Sequence, residues 1–167
     1  MTDFTAYEKL IKDKLSEYRY VHSLGVAKLA RELGEAHGLD GDKCYLAGLL
    51  HDVTKEMSED WQDDIFRKNN DLDKIREARP IKHSHSAKYY LRDELGINDP
   101  DILDACYNHT ICKSDSPYAK VLYIADKREE NRHINDAVVE TAMKDLYEGY
   151  NLLEKINDEY LKTKGVK

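Results

Sequence analysis

The chain has 167 residues, enough for one domain with a real core. Its 33 acidic and 26 basic residues leave a formal charge of −7. That argues against a general nucleic-acid binder with a basic face, yet leaves room for a local cationic pocket facing a phosphorylated small molecule. No stretch approaches the ~18 apolar residues of a membrane span. The start, Met1-Thr2-Asp3-Phe4, lacks the basic region and apolar run of a signal peptide, so a cytoplasmic protein is expected. Cys44, Cys106 and Cys112 show no C-x-x-C spacing, and two of them lie in apolar helical patterns, so core thiols in a reducing compartment are expected over disulfides or a zinc knot.

Taken in order, the periodicity predicts helices throughout and no strand alternation. Residues 4–17 carry the stripe Tyr7, Leu10, Ile11 and Leu15. A second helix runs on to Ala36 with His22, Val26, Leu29 and Leu33 on one face, and Gly38 is its stop. Gly25 on this helix suits close approach of another helix. Asp40 or Asp42 caps a third helix, which ends in His51-Asp52. The strongly charged stretch 56–80 keeps a narrow edge of Trp61, Ile65, Phe66 and Leu72; it reads as one or two surface helices, in the position of a lid or of a plain solvated face. Pro80 stops it. His83-Ser84-His85-Ser86 then opens a helix through Glu94. Asn98-Asp99-Pro100 starts the next, whose stripe Ile102, Cys106 and His109 points inward. Ser116-Pro117 starts another, with Val121, Leu122, Ala125 and Asp126 inward. A last long helix is expected over about 135–162, as scaffold or as the surface of a homodimer, followed by a frayed tail.

The chemistry gathers at His51-Asp52. An ionised carboxylate at the end of an apolar run wants a cation or several donors. A divalent metal is one answer, because imidazole and carboxylate both ligate one. Alone, the pair reads as a helix cap beside a hydrogen-bonded His. It is not alone: His22, His51-Asp52, His109 and Asp126 stand on inward faces of four helices, and His83 opens a fifth. That joint order is much more specific than any of its members.

The chain resembles the HD-domain metal-dependent phosphohydrolases, an all-α helical-bundle superfamily. Within it the chain is most similar to the bacterial YqeK family of symmetrical diadenosine tetraphosphate hydrolases. The resemblance rests on Tyr18-Arg19-Tyr20-Val21-His22-Ser23-Leu24-Gly25-Val26 and Ala47-Gly48-Leu49-Leu50-His51-Asp52-Val53-Thr54-Lys55. It continues through His83, Tyr107-Asn108-His109-Thr110 and Tyr123-Ile124-Ala125-Asp126, with Glu129, Asn131 and Arg132 behind. It implies a single HD domain over 1–167 with a metal-binding core at about 18–132. It implies one metal on His22, His51, Asp52 and Asp126, and a second on Asp52, His83 and His109 with Asp52 bridging. The metal would be dinuclear iron, with manganese in its place as the variant. The activity implied is cleavage of a dinucleoside polyphosphate by a metal-activated water, diadenosine tetraphosphate giving two ADP.

Asp52 and Lys55 are the candidate catalytic residues, and Lys55, Arg19, Lys113 and Arg132 the candidates for holding phosphate charge. The chain departs from the family pattern twice. Ile111-Cys112-Lys113-Ser114-Asp115 stands where a Gly-Arg-Pro run is usual, and Lys127-Arg128-Glu129-Glu130 where Tyr-Ile-Glu-Pro is usual. Both touch the substrate wall implied by the resemblance. The rival readings are a deoxynucleoside monophosphate nucleotidase or cyclic-dinucleotide phosphodiesterase of the same superfamily, a nucleotide-binding regulator without turnover, and a purely structural helical protein.

Overall fold

The structure is a computed structural model and describes residues 2–129 and 136–165. Among these there are nine α-helices, one short 3-10 helix and no strand. α1 spans Thr5–Lys14, α2 Glu17–Ala36 and α3 Gly41–Leu50. α4 spans Glu59–Lys68, and a 3-10 turn over Leu72–Arg76 leads to α5, Arg79–Asp93. α6 is Pro100–Tyr107 and α7 Pro117–Arg128. α8, Ala137–Lys144, and α9, Leu146–Thr163, close the chain.

Side-chain caps explain most of the starts. Ser16 accepts from Arg19 N, Asp40 from Asp42 N and Lys43 N, Ser58 from Trp61 N, and Asp99 from Asp101 N and Ile102 N. Each satisfies amides that the first helical turn leaves unpaired. Pro80 does not stop the charged region as expected. It sits in the first turn of α5, where a missing N–H costs nothing.

The bundle is built on α2, which packs along both α3 and α7, while α6 fills the far side against α3 and α7. Val26, Leu33, Leu49, Leu50, Leu122 and Ile124 form the sealed centre. α2 and α3 touch backbone to backbone: a Cβ on Gly48 would stand 2.7 Å from Ala27 Cα and 2.9 Å from Ala27 N. That close approach brings the inward His of α2 beside the end of α3. α4 is tied down, not loosely solvated. Phe66 is fully buried, and buried Lys82 of α5 pairs with Asp63 at 2.8 Å.

The expected single last helix is two helices. Asp145 takes extended backbone (φ −145°, ψ 108°) and caps α9 through Glu148 N. α8 and α9 then fold back on each other, so closely that a Cβ on Gly149 would stand 2.5 Å from Ala142 Cα. The expected start at Asn135 lies outside the described residues.

Candidate metal centre

His51 and Asp52 follow α3 through successive tight turns, with Val53 N donating to Leu50 O and Lys55 N to Asp52 O. In a straight helix neighbouring side chains diverge by about 100°. Here the tightened backbone lets both face one place. His51 is fully buried and Asp52 is 2 % exposed.

Two groups of side chains meet at Asp52. On one side His22 Nε2 lies 3.0 Å from Asp126 Oδ1, His51 Nε2 lies 3.2 Å from that same oxygen, and His51 Nε2 is 3.4 Å from Asp52 Oδ2. On the other side Asp52 Oδ1 faces His83 Nε2 at 3.2 Å and His109 Nε2 at 3.5 Å, and these two nitrogens are 3.0 Å apart. Asp52 thus turns one oxygen to each group. The triads His22–His51–Asp52, His51–His109–Asp126 and Asp52–His83–His109 each have ligand-type atoms close enough to share an ion.

The outer ring nitrogens fix which atoms point inward. His51 Nδ1 is 2.6 Å from Gly48 O, His109 Nδ1 is 2.7 Å from Cys106 O, and His22 Nδ1 is 3.3 Å from Glu129 Oε2. Carbonyl and carboxylate oxygens only accept, so each Nδ1 carries the hydrogen and donates it. Each Nε2 is then a lone pair aimed at carboxylate oxygens or at another ring nitrogen. Lone pairs facing lone pairs repel unless a cation or a proton stands between them. His51 Nε2 is correspondingly a buried atom with no satisfactory hydrogen bond of its own. Burial alone pulls the His51 ring down, but the Asp52 and Asp126 carboxylates beside it raise it to about 10. Burial also pushes the two carboxyls up, but neighbouring His51 outweighs it and both stay well below the usual carboxylate range. Apart from a proton on His51, the cluster is short of positive charge, and with that proton displaced its donors are neutral nitrogen and anionic oxygen. A divalent metal fits it.

The supporting shell is specific. Gly25 admits no helix backbone; a Cβ there would fall 1.9 Å from Glu129 Oε1, so its missing side chain is what lets the Glu129 carboxylate reach His22. Thr54 donates to the His83 carbonyl at 2.9 Å, and Ser86 to Gln62 Oε1 at 3.0 Å, tying the His51-Asp52 turn to α5 and α4. Lys127 bridges the His109 carbonyl (3.0 Å) and Asp126 Oδ2 (3.3 Å).

Of the residues expected to hold phosphate, Arg19 reaches Asp52 Oδ2 at 3.2 Å, and Lys55 lines a small cavity with Arg79, Pro80 and His83. Lys113 is not among the groups touching the cluster; its amide donates to Asn108 Oδ1. Arg132 lies outside the described residues. The support from Lys127 and the contact of Glu129 with His22 were not assigned from sequence, although Glu129 is among the residues that carry the resemblance. His85, two residues past His83, is turned away to Glu77 at 2.5 Å and packs tilted against Tyr107. Cys44 and Cys106 are buried free thiols, and burial pushes the first up to about 12.

The HD domain family matches residues 19–131, a span that contains every residue of the cluster. The chain therefore belongs to the HD-domain family and is a phosphohydrolase of that class. More particularly, it is 33% identical over 126 residues to the symmetrical bis(5'-nucleosyl)-tetraphosphatase of Halalkalibacterium halodurans, covering 74% of this chain and 67% of that one. The enzyme of the same name from Bacillus subtilis is 34% identical over 124 residues, covering 73% and 67%. Among solved structures, a predicted HD superfamily hydrolase involved in NAD metabolism from Clostridium acetobutylicum superposes with a TM-score of 0.82 at 25% identity, covering 100% of this chain and 91% of that one. No helix among the described residues is long and apolar enough to cross a membrane.

Proposed function

We propose that this phosphohydrolase cleaves a dinucleoside polyphosphate in the middle of its phosphate chain, turning diadenosine tetraphosphate into two ADP. The observation that carries the reading is Asp52, whose two oxygens face two separate imidazole groups at 3.2–3.5 Å. A carboxylate so placed suits two cations side by side. In this reading His22, His51, Asp52 and Asp126 hold one ion, and His83, His109 and Asp52 the other. Iron is the expected metal, with manganese as its substitute; imidazole and carboxylate donors suit both. Bound there, such a pair supplies Lewis acidity and a water acidic enough to attack near neutral pH.

The protein's own groups do the rest. Water adds to one of the two central phosphorus atoms, the bridging P–O bond between them breaks, and each half leaves as ADP. Arg19, resting on Asp52 Oδ2 at 3.2 Å, is free to turn to a phosphate oxygen once a cation neutralises that carboxylate. Lys55 approaches from the His83 side. A cavity of about 700 Å³ beside His22 and Glu129, edged by Tyr18 and Val21, has the size of a nucleoside site. The relatives named as symmetrical tetraphosphatases favour this substrate over a nucleoside monophosphate or a cyclic dinucleotide. The test is product analysis on the metal-loaded protein. ADP as the sole nucleotide product is expected, and AMP with ATP would contradict symmetrical cleavage.

A further inference from the structure

On the side of Asp52 away from the nucleoside-sized cavity lies a second cavity of about 220 Å³, lined by Lys55, Arg79, Pro80 and His83. It is smaller than the ~300–1,000 Å³ typical of pockets for whole organic ligands. At roughly 30 Å³ per water it has room for a small solvated group and not for a base with its sugar. Its two cations enter from different elements: Lys55 from the turns after His51-Asp52, Arg79 from the first residue of α5. Two other cations of the same stretch are neutralised: Lys82 pairs with Asp63 at 2.8 Å and Lys74 with Glu77 at 3.4 Å. Lys55 and Arg79 make no such pair among the described residues, although the chain is acidic overall. His83, at the inner end of the cavity, is buried and faces Asp52 Oδ1. Two open cations above a metal-type cluster, in a space sized for a small anion, are what a polyphosphate meets on leaving the cluster.

We infer that Arg79, together with Lys55, forms an anion subsite that takes the phosphate next to the one under attack, so that this side of the site measures phosphate-chain length. The inference rests on the nucleotide reading above. Arg79 is the new element: its planar guanidinium can hold two oxygens of one phosphate, which a lysine ammonium cannot do as a rigid fork.

The test is calorimetric binding of AMP and ADP to the manganese-loaded wild-type protein and to Arg79→Ala and Arg79→Lys. ADP is expected to bind the wild type about tenfold more tightly than AMP, a step that one added charge-assisted contact accounts for. Arg79→Ala should bring ADP close to AMP, and Arg79→Lys should recover part of the gap, with metal content and helical circular dichroism unchanged in both. An equal ADP-to-AMP ratio in wild type and Arg79→Ala overturns the subsite, as does a wild type that does not distinguish the two. Failure of the substrate reading shows separately. Wild-type protein that releases AMP and ATP from diadenosine tetraphosphate contradicts symmetrical cleavage and leaves the binding ratio where it was.

Discussion

Single atoms decide the chemistry of this site. The orientation of three imidazoles follows from one hydrogen each, held on Nδ1 by Gly48 O, Cys106 O and Glu129 Oε2. Loss of such an outer partner usually costs about 10–100-fold in metal affinity. Glu129→Gln is therefore expected to weaken metal binding by about tenfold or more in a competition titration against a chelator, and an unchanged affinity would show that His22 is oriented by something else. Without metal, His51 supplies the missing positive charge as an imidazolium. Burial opposes its proton, but Asp52 and Asp126 raise the ring from 6.5 to about 10. A raised folded pKa means that its contribution is fully present below about pH 6.5 and fades as pH rises to about 10. His83 has the opposite sign. Burial lowers it to about 4, so it costs stability as pH falls from about 6.5 toward 4. Urea unfolding of metal-free protein should accordingly give less stability at pH 9 than at pH 6.5, and metal should flatten that alkaline slope. An alkaline limb that is already flat without metal would remove His51 as the charge carrier. Helical phase made His22 and Asp126 legible in the sequence; His109, expected on the inward stripe of a helix, lies in the turn just past the end of α6. Helical phase could not reveal Glu129, whose partner is 107 positions away.

Helix contacts bring these atoms together. Gly48 allows α3 to lie on Ala27 of α2, which sets the His22 and His51 ring centroids 5.3 Å apart. Gly48→Ala pushes a methyl group into backbone that cannot rotate away. We expect a loss of about 1–3 kcal/mol in chemical denaturation, with metal binding weakened in step. Retention of both would mean that the two helices slide apart at little cost. Thr54→Val removes one of the donors to the His83 carbonyl, which Ser86 also reaches at 3.2 Å, and takes a partner from the buried Ser86 hydroxyl, a loss of about 1 kcal/mol. Thermal unfolding of that variant checks the buried Thr54–Ser86–Gln62 network. Two boundaries were misread from sequence for physical reasons. Pro80 punctuates a charged run and so resembles a stop, but its fixed φ serves a helix start equally well. Ala142 and Leu146 are four apart, so the apolar stripe runs unbroken through Asp145, and only backbone geometry shows the chain turning there.

At the scale of the molecule, the helical bundle offers a nucleoside-sized cavity at one end of the Asp52 cluster and a small cationic one at the other. The helical class and the order of the His and Asp positions were readable in advance, because burial period and helix ends are local properties. The lining of the cavities was not, since Lys55, Arg79 and His83 meet only once α5 has folded back on the turns after α3. The central claim is that Asp52 stands between two metal positions, one on each oxygen. Anomalous diffraction from crystals of the manganese-loaded protein tests it most directly. Two peaks about 3.5–4 Å apart are expected, one toward His22, His51 and Asp126 and the other toward His83 and His109. A single peak clear of Asp52, or none in crystals of fully active protein, would contradict it.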